Sequence, residues 1–170
     1  MIGFAKNGPD FDDYVRFTFN LSVDDPTYIY MDYTFSYDGA YTIELPEDYA
    51  SNIEDVFGMS FSEFNDALNA GEIQFALADP ATQEWINRGT PATTYYTNLA
   101  GQVTQADADD FAVSAAYETN SNGVESLIFK YNNTLAEGTT GQICVGFVDK
   151  NDEGKAMKFM ISYYIGALGK

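Results

Sequence analysis

The sequence predicts a mainly β protein, with β-sandwich-like antiparallel sheets and one short α-helix at about 60–70. Three observations predict it. Apolar and polar residues alternate with a period of two along most of the chain. The alternating runs are short and are separated by Asp, Asn, Gly and Pro. Only the stretch "SFSEFNDALNAG" has helical spacing together with a start and a stop signal. At 170 residues the chain suits one globular domain, 1–170, with enough length to bury a core.

In "YVRFTFNLSV", Val15, Phe17, Phe19, Leu21 and Val23 point one way, and Arg16, Thr18, Asn20 and Ser22 the other, as in a half-buried strand. "YIYMDYTFSY" repeats the pattern. Ile29, Met31, Tyr33, Phe35 and Tyr37 share one face; Tyr28, Tyr30, Asp32, Thr34 and Ser36 share the other. Asp24, Asp25 and Pro26 separate these two strands, and Asp38-Gly39 supplies a hairpin-type turn. "AYTIELP" reads as a third strand ending at Pro46. The helix follows. Ser60 and Glu63 form a capping box, Phe61, Phe64 and Leu68 recur at helical spacing, and Gly71 ends it in the left-handed conformation. "EIQFALAD" is the next strand, and from Pro80 to about Asp110 the composition loosens into loop. "FAVSAAYE", "VESLIFKY", "GQICVGFVD" and "AMKFMISYYI" complete the strands, the last two joined by a turn through Asn151 to Gly154.

The two ends of the chain are alike. Ile2-Gly3-Phe4 matches Val145-Gly146-Phe147, and after a one-residue gap Phe17 falls on Phe159 and Arg16 on Lys158. The N-terminal hairpin, 1–23, thus resembles the C-terminal hairpin, 144–165. Either all alternating hairpins look alike, or residues 1–23 are the closing hairpin of a preceding repeat or its counterpart within this fold. In both cases an apolar face needs cover, so the hairpin is expected to pack on the body of the domain.

Composition excludes several functions. A net charge of −18 with only 8 Lys and Arg repels nucleic acid and anionic membrane surfaces. No histidine is present, which removes Ser–His and Cys–His catalysis and almost every zinc or iron site. Glu44, Glu47, Asp48 and Glu84 could in principle supply a carboxylate pair for glycoside hydrolysis, but nothing places two of them in a cleft. No phosphate-cradling glycine loop occurs. The chain therefore reads as a non-enzyme without cofactor. Cys144, the single cysteine, sits in the apolar run "QICVGF" and reads as a small buried hydrophobe rather than a reactive thiol. No stretch is long enough to span a bilayer, so no direct membrane insertion is expected, and the N-terminus lacks the basic and apolar regions of a signal peptide.

Aromatic residues make up 16% of the chain, with 13 Tyr and 13 Phe against one Trp. The loop "QEWINRGTPATTYYTNLAGQ" combines Trp85, Arg88, Tyr95, Tyr96 and Asn98. Sugar rings stack on aromatic faces while Asn, Gln, Arg and acidic groups hydrogen-bond their hydroxyls, so these five residues form the candidate glycan platform. The alternative is that Trp85 plugs the end of the sandwich and Tyr95 or Tyr96 belongs to a strand face. Outward Tyr28 and Tyr30 offer a second platform, or else an edge-strand or repeat–repeat contact. Asp107, Asp109 and Asp110 in "ADADD", and Asp149, Asn151 and Glu153 in "DKNDEG", suggest calcium at first sight. The first lacks further ligands and reads as a solvated acidic loop. In the second Met160 replaces the glutamate a calcium loop needs at its twelfth position, which leaves turn chemistry and no metal site.

Several motifs also occur in a known arrangement: "FGMSFSEFNDALNAGEIQFALAD", then "YTNLAGQV" with Gly101 and Val103, then "FKYNNTLAEGTTGQICVGFV" and a closing strand. From about Tyr41 to Ile165, within a core taken as 41–168, the chain resembles a domain of unknown function. That domain recurs, often in tandem, in secreted and surface lipoproteins of gut Bacteroidetes. "NNTLAEG" lacks the Gly-Gln-Tyr-Pro-Gly turn that members often carry. The resemblance implies an extracellular, outer-surface or periplasmic module beside glycan-processing proteins. It implies a polysaccharide or glycan and neighbouring domains of the same protein as partners, and no catalytic residues. Together these readings predict a non-catalytic glycan-binding module or, alternatively, a structural spacer or protein-interaction module. Exposure of Trp85 or of the Tyr95–Tyr96 pair separates the two.

Overall fold

Strict alternation sorts the strands of the computed structural model into two stacked sheets and one separate ladder, over the described residues 2–5, 14–17, 27–35, 40–105 and 111–166. The strands are β1 (Ile2–Ala5), β2 (Tyr14–Phe17), β3 (Tyr28–Phe35), β4 (Ala40–Glu44), β5 (Ile73–Ala78), β6 (Trp85–Gly89), β7 (Thr94–Thr97), β8 (Val113–Thr119), β9 (Glu125–Tyr131), β10 (Thr140–Asp149) and β11 (Ala156–Ile165). A five-stranded sheet runs β3-β11-β10-β5-β6 and a four-stranded sheet runs β4-β9-β8-β7. Every pairing within them is antiparallel except β3 with β11, which is parallel and makes the last strand a neighbour of an early one.

The apolar half of each alternation meets the other sheet. Phe35, Ile143, Val145, Phe147, Phe159 and Ile161 of the larger sheet share one buried core with Ile43, Val113, Ala115, Leu127 and Phe129 of the smaller. Aromatic pairs bridge the layers: Tyr33 stacks on Tyr41 with centroids 3.9 Å apart, Phe75 meets Tyr95 at 5.1 Å, and Tyr117 meets Phe147 edge-on at 5.6 Å. Such rings carry much of the buried area, which is where the high Tyr and Phe content goes.

The helix predicted at about 60–70 is α3 (Phe61–Ala70), with α1 (Leu45–Asp48) and α2 (Ala50–Phe57) before it. Its capping box is complete: the Ser60 hydroxyl accepts from the Glu63 N–H, and the Glu63 carboxylate accepts from the Ser60 N–H at 2.8 Å. Gly71 ends it at φ +75°. Phe64 and Leu68 are fully buried, and Phe64 meets Phe147 edge-on at 5.1 Å. Helices α1 and α2 correct the expectation of a single helix. Pro46 ends no strand; it sits in the first turn of α1, where its missing N–H has no intrahelical role. Ile53 and Phe57 then bury one face of α2, and Gly58 at φ +71° closes it.

A second correction concerns 80–110, read as loop. It contains β6 and β7, short edge strands of different sheets. The turns at 24–26 and 38–39, the acidic run Asp107–Asp110, and Phe19, Leu21, Val23, Ser36 and Tyr37 lie outside the described residues.

The terminal likeness extends to backbone register. The pairs Ile2↔Phe17, Gly3↔Arg16 and Phe4↔Val15 of the β1–β2 ladder correspond step for step to Val145↔Phe159, Gly146↔Lys158 and Phe147↔Met157 of β10–β11. The connection 6–13 is one residue longer than 149–155, which accounts for the gap in the sequence match. Gly146 has a steric reason to be glycine: a Cβ there would lie 2.0 Å from the Met157 carbonyl oxygen.

Candidate ligand groove on the outer sheet face

The five residues of the predicted platform are distributed over different faces. Trp85 starts β6 on the outer face of the larger sheet, where the ladder slips between Leu77 and Ala78. There it packs half-buried on Ala76, Ala78, Cys144, Val148, Ala156 and Met160, and the Lys158 ammonium sits 4.8 Å from its ring centroid. Lys158 also donates to the Gln83 carbonyl at 2.7 Å, so the tryptophan is held as a roof tile over small outer-face residues. Arg88 is ion-paired with Glu153. Tyr95 points into the core, 3% exposed; its hydroxyl donates to the Phe75 carbonyl at 2.8 Å, and burial pushes its phenol up to about 12. Tyr96 lies on the opposite face of β7, half-buried edge-on against Phe111. Asn98 builds a turn, its Oδ1 accepting from the N–H groups of Ala100 and Gln102 at 3.0 and 3.1 Å. The reason is parity: Tyr95 and Tyr96 are consecutive strand residues and must diverge, and β6 and β7 edge different sheets.

A different constellation assembles on the outer face of the larger sheet. Parallel pairing puts Asp32 beside Ser162, and antiparallel pairing puts Ser162 beside Gln142. One row thus crosses three strands, each about 4.8 Å from the next. Thr34, Tyr164 and Thr140 form the following row. Tyr30 stands one step before Asp32 on the same face, and its hydroxyl reaches both Ser162 Oγ at 2.9 Å and Asp32 Oδ1 at 3.2 Å. Gln142 Nε2 donates to Ser162 Oγ at 3.1 Å.

Asp32, Thr34, Thr140, Gln142, Ser162 and Tyr164 line an open groove of about 580 Å³, and Tyr30 adjoins it through its hydroxyl. Its wall is the turn carrying Leu99, fixed where the Gln142 N–H donates to the Leu99 carbonyl at 3.0 Å. At Gly141 in the floor a Cβ would lie 2.2 Å from the Tyr163 hydroxyl beneath it and 2.9 Å from the Leu99 carbonyl oxygen, so a larger residue would displace the tyrosine. Tyr30 is 56% exposed and Tyr164 42% exposed. The groove therefore has one exposed tyrosine, Tyr164, in its lining and another, Tyr30, adjoining it, with a carboxylate, an amide and hydroxyls beside them. Apolar faces beside hydrogen-bonding groups suit a ligand that is flat on one side and polyhydroxylated at its edges.

The turn read in "DKNDEG" is built by its own side chains: Asp149 Oδ1 accepts from the N–H groups of Asn151 and Asp152, and Asp152 Oδ1 from that of Gly154. Among the described residues no three His, Cys, Asp or Glu side chains are disposed to hold a metal ion, and no helix is long and apolar enough to cross a membrane. Cys144 is fully buried beside Ala78 and Met160, and burial pushes its thiol up to about 11, as the apolar run predicts.

In the sequence, outward Tyr30 stands out as a binding residue, whereas Asp32, Gln142, Ser162 and Tyr164 do not. The signal for their orientation was in the alternation of "YIYMDYTF", "GQICVGFVD" and "AMKFMISYYI". Their proximity depends on β3 lying beside β11, which alternation does not encode. Comparison of the chain with protein-family models, with curated proteins and with solved structures gave no match.

Proposed function

We propose that the protein is a non-catalytic module of an extracellular or outer-surface protein that binds glycan in the groove between Tyr30 and Tyr164. One observation carries the reading: the Tyr30 hydroxyl ties Asp32 to Ser162, Gln142 donates to the same serine, and this network lies beside exposed Tyr30 and Tyr164 on a rigid sheet. The floor strands β10 and β11 each run ten residues, and their inward side chains are core, so the polar row is presented without freedom to collapse. The location rests on the resemblance described from about Tyr41 to Ile165, and the non-catalytic reading on that resemblance and on the absence of histidine.

Native affinity electrophoresis across plant and mucin polysaccharides tests the proposal. Retardation of the wild type by a glycan should be lost in Tyr30→Ala and weakened in Tyr164→Ala, with both variants melting as the wild type does. Retardation abolished by Trp85→Ala but untouched by either tyrosine change would refute the groove as the site.

A second reading, a structural spacer or protein-interaction module, is favoured by the β1–β2 ladder repeating the register of β10–β11, as expected of a unit in an array. On that reading no glycan retards the protein, and the tyrosine substitutions have no binding phenotype.

A further inference from the structure

We infer, resting on the glycan reading above, that the groove selects neutral oligosaccharides and rejects acidic ones. Asp32 is the one acidic or basic side chain among the described residues lining the groove, and a carboxylate only accepts hydrogen bonds. Tyr30 supplies one donor to its Oδ1, so the remaining lone pairs must face ligand donors, which sugar hydroxyls and acetamido N–H groups provide. Carboxylate and sulfate groups bring acceptors alone and would face Asp32 as like charges.

Among the described residues no basic side chain lines the groove. Lys158 lies four residues before Ser162 on β11, roughly 13 Å along the strand, beyond the Debye length of about 8 Å at physiological salt. It is also occupied, donating to Gln83 and resting over Trp85. Arg88, farther across the sheet on β6, is paired with Glu153. The whole chain, at −18, adds a field of the same sign as Asp32.

The strand positions of the two tyrosines set the ligand's direction. Tyr30 lies beside Met160 on β11, and Tyr164 is four residues farther on, again roughly 13 Å along the strand. The Tyr30 hydroxyl leans to Ser162, two residues short of Tyr164. The ligand is a chain segment lying along the strand direction, with its apolar faces on the two rings and its hydroxyl edge on Asp32, Ser162 and Gln142.

The test uses the full chain in affinity gels containing matched polysaccharides: hydroxyethylcellulose against carboxymethylcellulose, galactan against polygalacturonate, and dextran against dextran sulfate. The expected result is retardation by at least one neutral member, insensitive to salt, with its acidic partner weaker by about tenfold or more. Asp32→Asn, which keeps shape and removes charge, should narrow that gap from the acidic side. Equal or stronger retardation by an acidic member would overturn the neutral-selective inference and leave glycan binding standing. No retardation by any member would overturn the glycan reading and this inference with it.

Discussion

Substituting Gly146 by alanine adds one methyl group, and the structure sets its cost. The new Cβ would lie 2.0 Å from the Met157 carbonyl oxygen, 2.9 Å from the Lys158 Cα and 3.0 Å from the Met157 carbonyl carbon, all backbone atoms. Ordinary contact is about 3.5 Å, so the backbones must part by roughly 1.5 Å. Neither side has room. Gly146 pairs with Lys158 on one flank and Ala76 on the other, and Val145 and Phe147 beside it are fully buried. Overpacking costs about 1–3 kcal/mol, and strained ladder hydrogen bonds push this site to the upper end, about 3 kcal/mol. For a chain of this length that lowers the thermal midpoint by roughly 6–12 °C. Circular dichroism melts of wild type and Gly146→Ala measure it, with Gly58→Ala as the control. At Gly58 nothing lies within 4 Å of a Cβ, so the cost there is only that of a left-handed alanine at φ +71°, roughly 1–2 kcal/mol. A Gly146→Ala protein melting no lower than Gly58→Ala would refute the steric argument.

The remaining predictions concern the cap and the buried acids. Ser60→Ala should cost about 1 kcal/mol through the lost N-cap, read as a fall in the unfolding midpoint. Hydrogen bonds from Ser60 hold the Glu63 carboxyl below its ordinary value, so that contribution is present above the ordinary glutamate range and lost as pH falls through the lowered one. The deficit of Ser60→Ala should therefore shrink in melts repeated in acid; a constant deficit would argue against the reciprocal cap. Burial raises the Cys144 thiol from 9.0 to about 11 and the Tyr95 phenol from 10.0 to about 12. Their contribution to stability is complete below the ordinary values and is lost as pH rises through the raised ones, so midpoints should fall across that alkaline window. At pH near neutral a thiol reagent should label Cys144 only on unfolding; rapid labelling of the native protein would contradict its burial.

The parts of the fold legible in the sequence are those encoded locally. Alternation in β3 and β8 to β11 sorts inward from outward residues, and Ser60, Glu63 and Gly71 delimit α3, because each signal spans only a few neighbours. Pro46 was misread since a proline suits both the end of a strand and the first turn of a helix. Strands β6 and β7 were hidden because each is short, edge-placed and flanked by Pro, Gly and Thr, with the slip at Leu77/Ala78 breaking the period ahead of Trp85. Once β7 is seen as a strand, Tyr95 and Tyr96 must face opposite ways. The groove was legible only in halves: Tyr30 and Ser162 are hydrogen-bonded but lie 132 positions apart, and no local pattern names such neighbours.

The repeated register of β1–β2 sets up a contest during folding. β10 fills its place against β5 through the pairs from Cys144↔Ala78 to Asp149↔Ile73. During synthesis an N-terminal hairpin of the same step pattern exists long before β10 and β11 do. The slot beside β5 thus has two segments of matching register, and β10 holds it through six paired positions. A chain carrying its own decoy has a built-in route to trading hairpins between molecules when refolded at high concentration.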